Sequence, residues 1–429
     1  MIPRHRPEFS LYELLRCGLS AALRHADAGD PETLWAERLG VQHAVWVPSG
    51  RYAVCRAVEY SLPADASVYC PAFTCRVVHE AIHHSGRRLR LIDSAPDSPL
   101  MDERLLNHTD TDHAVVLSEV FGHRYKLPSI ESPSNLPLVH SARLRVLDMA
   151  MCLPEPADMQ RLRDNDVAVL SFGLGKPLYA GGGGMVLTND AGMADHLRSC
   201  RRRDTRHANR LQNLKQFAVL LARTAAHDPT VYGLCRLMAD RRTQKSDQSP
   251  VSGFTPEDPH SPAVTEKTAA EWHGEQTRLS VELAILLAAR YDRHRQTRLE
   301  LAKVYRQQLS DISALCVSAA LRLPPEEESA LSHFCVRVRP ELRNNLRSAL
   351  LHAGVDTATL FSVSPFVSPT DCPNTVRLSQ EIVGLPLSGN LTIADAERIC
   401  RAVRSFAESI SSARPRCRSQ PPDDSSALK

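Results

Sequence analysis

One lysine of the sequence has neighbours that suit chemistry at an amine. Lys176 follows an apolar run typical of a strand and precedes four consecutive glycines, within the segment VAVLSFGLGKPLYAGGGGMVLTND (167–190). A lysine becomes a nucleophile toward a carbonyl carbon when burial or a nearby positive charge lowers its pKa. Glycines tolerate positive φ and let the backbone pass close to a bound group. A glycine-rich hairpin beside a surface lysine is the structural alternative for this run taken alone.

Asp148 is the second residue that could take part in chemistry. It ends a predicted strand in the segment LRVLDMA (144–150), and that strand is expected to lie beside the one preceding Lys176. An aspartate there can pair with the protonated ring nitrogen of pyridoxal 5′-phosphate and keep the ring an electron sink. A helix cap or a solvated loop aspartate is the alternative. Together with Lys176, Asp148 favours a pyridoxal-phosphate site.

A phosphate-binding turn is the third candidate feature. In WVPSGRYAVCRAV (46–58) a predicted strand is followed by Ser49 and Gly50 and then by a helix. The free amides and positive dipole end of a helix N-terminus suit a phosphate. Ordinary helix capping by the Ser-Gly turn explains the same pattern, so this feature alone is weak.

These residues, with Thr74, stand at or directly after predicted strands. Short aliphatic runs alternate with helical stretches between His43 and Thr188, which is the pattern of a mainly parallel sheet with helices on both faces. The seven predicted strands are Ala44 to Val47, Ser67 to Cys70, Leu89 to Ile92, Ala114 to Leu117, Arg145 to Leu147, Ala168 to Ser171 and Met185 to Leu187. Ligands bind beyond the carboxyl ends of parallel strands, so the polar residues are expected to converge on one crevice.

A smaller second unit is predicted after this α/β region. A helix from Leu211 to Ala226 leads into the segment 241–262, whose Ser, Asp, Gln and Pro content predicts an exposed loop. Further predicted elements are a long helix from an N-cap at Ser280 through Leu309, a strand at Phe334 to Val338, and helices at Glu341 to Ala353 and Ile393 to Phe406. The expected organisation is an N-terminal arm (1–30), a large cofactor-binding domain (31–275) with an insertion (204–268), a small α+β domain (276–410) and a disordered tail (411–429).

The composition is that of a globular chain without a strongly charged partner. The 429 residues exceed what one core usually serves, and the net charge of +3 is too small to indicate nucleic acid. No apolar run could span a bilayer and the polar N-terminus lacks a signal-peptide core, so we expect a cytoplasmic protein without a membrane partner. The twelve cysteines stand singly, which predicts reduced thiols. No metal site is expected, since no Cys-x-x-Cys pair occurs and the group His79, His83 and His84 has no third ligand.

Six segments, in this order, resemble the DegT/DnrJ/StrS-type sugar aminotransferases, a branch of the fold-type I pyridoxal-phosphate enzymes. They are SGRYAV (49–54), YCPAFT (69–74), VLDMA (146–150), SFGLGKPLYAGGGGMVLTND (171–190), RLSVELA (278–284) and GLPLSGNLT (384–392). The lysine segment and the order of all six are specific, whereas each other segment alone is not. The resemblance covers about residues 39–406. It implies an aspartate-aminotransferase-like α/β fold with a seven-stranded, mainly parallel sheet and a smaller C-terminal domain.

The resemblance also implies roles for individual residues. Lys176 would carry pyridoxal 5′-phosphate as a Schiff base, and Asp148 would partner its pyridinium nitrogen. The Ser171 hydroxyl and the Gly50 amide would donate to the phosphate. Family members are homodimers, and Gln276 stands where an asparagine usually reaches the partner's phosphate, so a homodimer is expected.

Four pocket positions depart from the family pattern. Arg51 replaces the phosphate-turn threonine, Cys75 the aromatic residue that stacks on the pyridine ring, Met151 a polar residue near the phenolic oxygen, and Glu119 the usual histidine. A guanidinium can still bind phosphate, and sulfur side chains can pack on a ring. The substitutions predict a retuned pocket rather than a destroyed one.

The expected activity is amino transfer to a keto-sugar, expected to be nucleotide-linked, with glutamate as the donor that the resemblance implies. The setting would be the synthesis of cell-surface polysaccharide or secondary-metabolite sugars. One alternative is a divergent relative with a regulatory or assembly role, which the four departures favour and the retention of Lys176, Asp148 and Ser171 disfavours. A pyridoxal-dependent dehydratase would have histidine in place of Lys176.

An arginine-rich stretch at the start of the insertion is a further candidate site. It comprises Arg201, Arg202, Arg203, Arg206 and Arg210. Such a cluster could bind a nucleotide diphosphate, but a solvated helix face is the favoured interpretation.

Overall fold

The computed structural model describes most of both predicted units. The described residues are 1–23, 30–105, 112–125, 127, 137–206, 208–243, 277–312 and 330–413. Gln276, most of the polar segment 241–262 and the tail from 414 lie outside these ranges. The predictions made for them are not tested.

The elements alternate along the first half of the chain, as predicted. The strands are β1 (His43–Val47), β2 (Ser67–Pro71), β3 (Arg88–Ile92), β4 (His113–Ser118), β5 (Leu144–Asp148), β6 (Cys152–Leu153), β7 (Val167–Ser171), β8 (Gly184–Thr188), β9 (Ala330–Leu331), β10 (Phe334–Arg337) and β11 (Ile382–Leu385). The helices are α1 (Leu11–Leu23), α2 (Pro31–Leu39), α3 (Gly50–Ser61), α4 (Arg76–His84), α5 (Pro137–Ser141), α6 (Pro156–Met159), α7 (Ala191–Asp204), α8 (Arg210–Ala226), α9 (Pro229–Thr243), α10 (Arg278–Leu309), α11 (Pro340–His352), α12 (Pro373–Glu381) and α13 (Ile393–Ala413). None of the helices in the described ranges is long and apolar enough to cross a membrane.

All seven predicted strands form one sheet. Its order is β1-β8-β7-β5-β4-β2-β3, and only β8 runs antiparallel to its two neighbours. The α/β fold with a mainly parallel seven-stranded sheet is therefore confirmed. Because β4, β5 and β7 are parallel neighbours, Ser118, Asp148 and Ser171 end their strands at the same edge.

Helices cover both faces of the sheet, because alternate strand residues point to opposite sides. Val45 and Val47 of β1 join a core with α3, α4 and α7, whereas Ala44 and Trp46 join a core with α1, α2 and the first half of α10. Six of the seven strands are buried on both faces, which explains their nearly continuous apolar sequences, whereas the edge strand β3 is partly exposed and carries Arg88 and Arg90.

The second unit has its own core around β10, β11, α11 and α13. The second half of α10 contributes Leu301, Ala302 and Tyr305 to this core. One 32-residue helix thus packs first on the large sheet and then on the smaller unit. The exact domain bounds stay a prediction.

Two predicted helix ends were wrong. Thr277, not Ser280, caps α10, because the Thr277 hydroxyl accepts the Ser280 amide (3.3 Å). Ser280 lies inside the first turn and receives a hydrogen bond from Gln216 (2.8 Å). The last helix, α13, continues beyond Phe406 to Ala413 and includes the first residues of the predicted tail.

Residues 1–9 form an N-terminal strap that is bound to the second unit at both ends. The Ile2 amide donates to Gly354 O (2.8 Å), and the Asp356 amide donates to Ile2 O (3.0 Å). At the other end the Glu8 carboxylate accepts the Gly389 amide (3.0 Å) and pairs with Arg298. The middle of the strap is thereby held across the loop that carries Lys176.

Candidate active site

Lys176 lies in a loop that leaves the end of β7. Its amide donates to Gly173 O (3.3 Å), and Gly175 before it has a φ of +77°, a conformation that favours glycine. The Lys176 Nζ donates to the Met151 Sδ at 3.3 Å. The amine is half-buried and points at the edge of the sheet where the strands end.

Asp148 is fixed by a chain of hydroxyl groups at this edge. Ser118 donates to Asp148 Oδ2 (3.2 Å), and Thr74 donates to Ser118 (2.9 Å). The Ala150 amide donates to the other carboxylate oxygen (3.2 Å). Burial raises the pKa of Asp148, and the nearby Lys176 ammonium opposes this shift. A cation above the carboxylate, such as a protonated ring nitrogen, would favour the ionised form.

The N-terminus of α3 and the end of β7 make a cradle suited to a phosphate. Ser49 caps α3 by accepting the Tyr52 amide (3.2 Å), and the other amides of the first turn, with the positive end of the helix dipole, suit an anion. A Cβ added to Gly50 would lie 3.7 Å from Ser171 Cβ and 4.0 Å from its hydroxyl. The Gly50 amide end of the helix and the Ser171 hydroxyl therefore adjoin.

The glycine run closes this cradle. A Cβ at Gly184 would lie 2.9 Å from Leu170 O and 3.0 Å from the Gly50 amide, so no side chain fits. Gly183 has a φ of +96° and pairs with Ser49. The run thus draws β8 against the start of α3, as expected for a close backbone approach.

The unusual pocket residues lie around the same edge. Arg51 is the second residue of α3 and half-buried. Cys75 precedes α4 without forming a side-chain cap, and it packs with Met151 in an apolar cluster that contains Phe121 and Phe361. Their contacts with a cofactor stay a prediction.

Glu119 supports the strand that carries Asp148. Its amide donates to Asp148 O (2.9 Å), and its buried carboxylate pairs with Arg161 (2.6 Å). Burial raises the pKa of Glu119, and Arg161 opposes the shift. Glu119, which replaces the family's usual histidine, thus forms a buried ion pair with Arg161.

Two histidines near Lys176 were not predicted from the sequence. The His5 ring lies edge-on to His333 with centroids 4.8 Å apart, and its Nε2 is 3.6 Å from where a Cβ of Gly175 would be. Burial, followed by the charge of Arg4, lowers the pKa of His5 to about 3, and burial likewise lowers the pKa of His333. No sequence pattern connects residues so far apart in the chain.

The predicted arginine cluster does not reach this site. Arg201 is half-buried, pairs with Glu32 and donates to Trp46 O (2.9 Å). The other four arginines are exposed, as expected for a solvated helix face. His79, from the histidine group, is buried, and its Nε2 lies 2.8 Å from Pro71 O.

The donor set of this edge fits pyridoxal 5′-phosphate. Lys176 would supply the amine, Asp148 a carboxylate to pair with a protonated ring nitrogen, and Ser171 with the α3 N-terminus a cradle for the phosphate. Residues 30–219 and 260–404 match the DegT/DnrJ/EryC1/StrS aminotransferase family. The chain belongs to this family. It is a pyridoxal-phosphate-dependent sugar aminotransferase, so the predicted family, enzyme class and cofactor are confirmed.

Solved structures of aminotransferases share the fold over nearly the whole chain. DesV from S. venezuelae is 21% identical with a TM-score of 0.63, covering 95% of this aminotransferase and 99% of DesV. The sugar aminotransferase CalS13 from Micromonospora echinospora is 19% identical with a TM-score of 0.62 (94% and 100% covered). The aminotransferase TlmJ from Streptoalloteichus hindustanus is 19% identical with a TM-score of 0.64 (96% and 100%). No curated protein sequence matches significantly.

Proposed function

We propose that this aminotransferase moves the amino group of glutamate to a nucleotide-linked keto-sugar in the cytoplasm. The observation that carries the proposal is the convergence of Lys176, Asp148 and the phosphate cradle at one sheet edge, in a chain of a sugar aminotransferase family. The product would be an amino sugar for a cell-surface polysaccharide or a secondary metabolite.

Each pocket residue has a distinct task in this reaction. The cofactor, when bound, supplies the carbonyl carbon and the electron sink. Ser171 and the Gly50 end of α3 would bind and orient its phosphate, while Asp148 would keep its ring nitrogen protonated. Lys176 would hold the cofactor through its amine and would serve as the base that moves the proton at the donor's Cα.

The donor half of the reaction provides a test that needs no sugar. Cofactor-loaded protein mixed with excess glutamate should release one 2-oxoglutarate per site, measurable by chromatography. Lys176→Ala should release none within the same time, because the base is missing. Lys303→Ala, which changes an exposed lysine of α10, is the matched control. Release of 2-oxoglutarate by Lys176→Ala at the wild-type level, or no release of 2-oxoglutarate by the wild type, would refute the proposal.

We also propose that the functional unit is a homodimer. Ten of the thirteen large apolar side chains exposed in the described structure lie on α1, α8 and α9, including Leu15, Leu19 and Leu214. Helices α1 and α8 pack closely where Gly18 faces the Phe217 ring. Concentrated apolar surface of this kind is typical of a protein interface. It supports the expectation from the family resemblance.

A further inference from the structure

Three buried arginines meet where the strap, the insertion and the second unit adjoin. Arg4 belongs to the strap, Arg236 to α9 and Arg347 to α11, and each is only 5–6% exposed. We call these three residues the buried arginine group. The charges of Arg4 and Arg236 both act on Arg347, so the guanidinium groups lie close together.

The carboxylate of Asp356 serves two members of this group. Its Oδ2 lies 3.8 Å from the Arg4 Nε and 3.5 Å from the Arg236 Nε. Both distances exceed the roughly 2.8 Å of a charge-assisted hydrogen bond. The Tyr232 hydroxyl donates to the same carboxylate oxygen, and the Thr357 amide donates to the other one (2.9 Å). Asp356 is thus engaged by other donors and pairs only loosely with both arginines.

Arg347 has no carboxylate partner within the described ranges. Its Nε donates to the Thr357 hydroxyl (3.3 Å) and its Nη2 to the Thr357 carbonyl oxygen (3.4 Å), and both acceptors are neutral. Burial lowers the pKa of Arg347 to about 9, so its guanidinium still carries a charge at neutral pH. The buried arginine group therefore holds three positive charges beside the single negative charge of Asp356.

A buried donor in this group also lacks a hydrogen bond. The Arg236 Nε is shielded from solvent and donates to no described residue. A buried donor of this kind costs roughly 1–3 kcal/mol and is a place where a bound water or ion is expected. A water would satisfy the donor but would leave the excess charge, whereas an anion would do both. Buried charge without a counter-charge is strongly destabilising.

The buried arginine group is distinct from the sites described above. Arg4 and Arg236 fall outside residues 30–219 and 260–404, which match the family. None of the three arginines lines the cleft beside Lys176. An anion bound to them would therefore be a different molecule from the cofactor and the reacting substrates.

We propose that the buried arginine group binds a small oxyanion of about two negative charges, with the chemistry of inorganic phosphate. The planar donors of arginine match the oxygens of such an anion in pairs, and its charge matches the excess of the group. Because the three arginines come from separate segments, the anion fastens the strap and α9 to the second unit. This site does not depend on the proposed reaction.

Phosphate binding tests the site directly. Inorganic phosphate is titrated by calorimetry at constant ionic strength into the cofactor-loaded protein, so that the cofactor's own cradle is already filled. Arg347→Met and Arg236→Gln should each weaken binding at least about tenfold, as expected for a lost charge-assisted hydrogen bond. Arg401→Met, at an exposed position of α13, should bind phosphate like the wild type. Glycerol 3-phosphate should bind more weakly than phosphate, because the arginines are enclosed.

Thermal unfolding gives a second readout that is independent of the titration. Arg347→Met removes a buried unpaired charge and keeps an apolar side chain, so in phosphate-free buffer it should unfold at a higher temperature than the wild type. Added phosphate should raise the unfolding midpoint of the wild type and of Arg401→Met. The midpoint of Arg347→Met should rise less, by the general salt effect alone.

Four results would overturn the assignment. The first is no saturable phosphate binding, or equal binding by Arg347→Met and the wild type. The second is a loss of binding in Arg223→Gln while Arg347→Met still binds, which would place the phosphate in the cleft beside Lys176. The third is a lower midpoint for Arg347→Met in phosphate-free buffer, which would mean that the Arg347 charge is already compensated. The fourth is tighter binding of glycerol 3-phosphate, which would assign the site to a phosphomonoester instead of a free anion.

Discussion

The ionised Asp148 carboxylate lowers the folding stability of the cofactor-free protein. Burial raises its pKa, so this group favours folding only while it is protonated, and its contribution is lost as pH rises through the folded pKa. Asp148→Asn removes the ionisation and keeps an acceptor for Ser118. We therefore expect the cofactor-free variant to unfold at a higher temperature than the wild type at neutral pH, while its amino transfer is lost.

Unfolding measured against pH checks this expectation. The advantage of Asp148→Asn should shrink as the pH falls and the wild-type carboxyl becomes protonated in both states. Asp195→Asn, on the exposed face of α7, should show no such trend. A variant that is less stable than the wild type at every pH would mean that the Asp148 charge is not costly.

Site residues that follow strands could be predicted from the sequence, whereas site residues in the N-terminal strap could not. Lys176, Asp148 and Ser171 each follow or end a buried strand, and parallel packing places such residues at one edge. Ser118 also ends a strand but was missed, because a lone serine carries no distinctive pattern. His5 lies near Lys176 only because the strap crosses the loop after β7.

The N-terminal strap depends on a buried ion pair. Burial would raise the pKa of Glu8, but Arg298 and His294 lower it to about 2. This pair stabilises the fold above the ordinary glutamate pKa, and its contribution is lost as pH falls toward about 2. Glu8→Gln leaves Arg298 buried without a counter-charge and should cost about 3 kcal/mol of unfolding free energy at neutral pH.

Chemical denaturation at several pH values measures this loss. The gap between Glu8→Gln and the wild type should narrow as the solution is acidified. Glu300→Gln, on an exposed part of α10, serves as the control. A variant as stable as the wild type would show that the ion pair does not hold the strap.

The elements were predicted better than their ends. Continuous apolar runs indicated the strands of the large sheet that are buried on both faces, and the alternation of arginine and leucine indicated the partly exposed edge strand β3. The start of α10 was misplaced because Thr277 and Ser280 are both good N-caps, and only the surrounding contacts decide between them. The short pairing of β6 with β9 joins distant segments and has no local sequence pattern.

At the scale of the whole molecule, the apolar face of α1 and α8 predicts the oligomeric state. Light scattering should give a mass of two chains for the wild type. Leu15→Glu combined with Leu19→Glu should shift the mass toward one chain, because burying two carboxylates in an interface is costly. Tyr60→Glu, an exposed apolar residue on α3, should remain dimeric. A monomeric wild type, or a dimer unaffected by the double change, would contradict the proposed interface.

The most direct test of the account is whether the cofactor is attached to Lys176. The purified protein is incubated with pyridoxal phosphate, its visible absorbance is recorded, and the mixture is reduced with borohydride and digested for mass spectrometry. We predict a yellow band, a reduced cofactor on the peptide containing Lys176, and neither in Lys176→Ala. Absence of the band at saturating cofactor, or label on another lysine, would contradict the account and favour a non-catalytic relative.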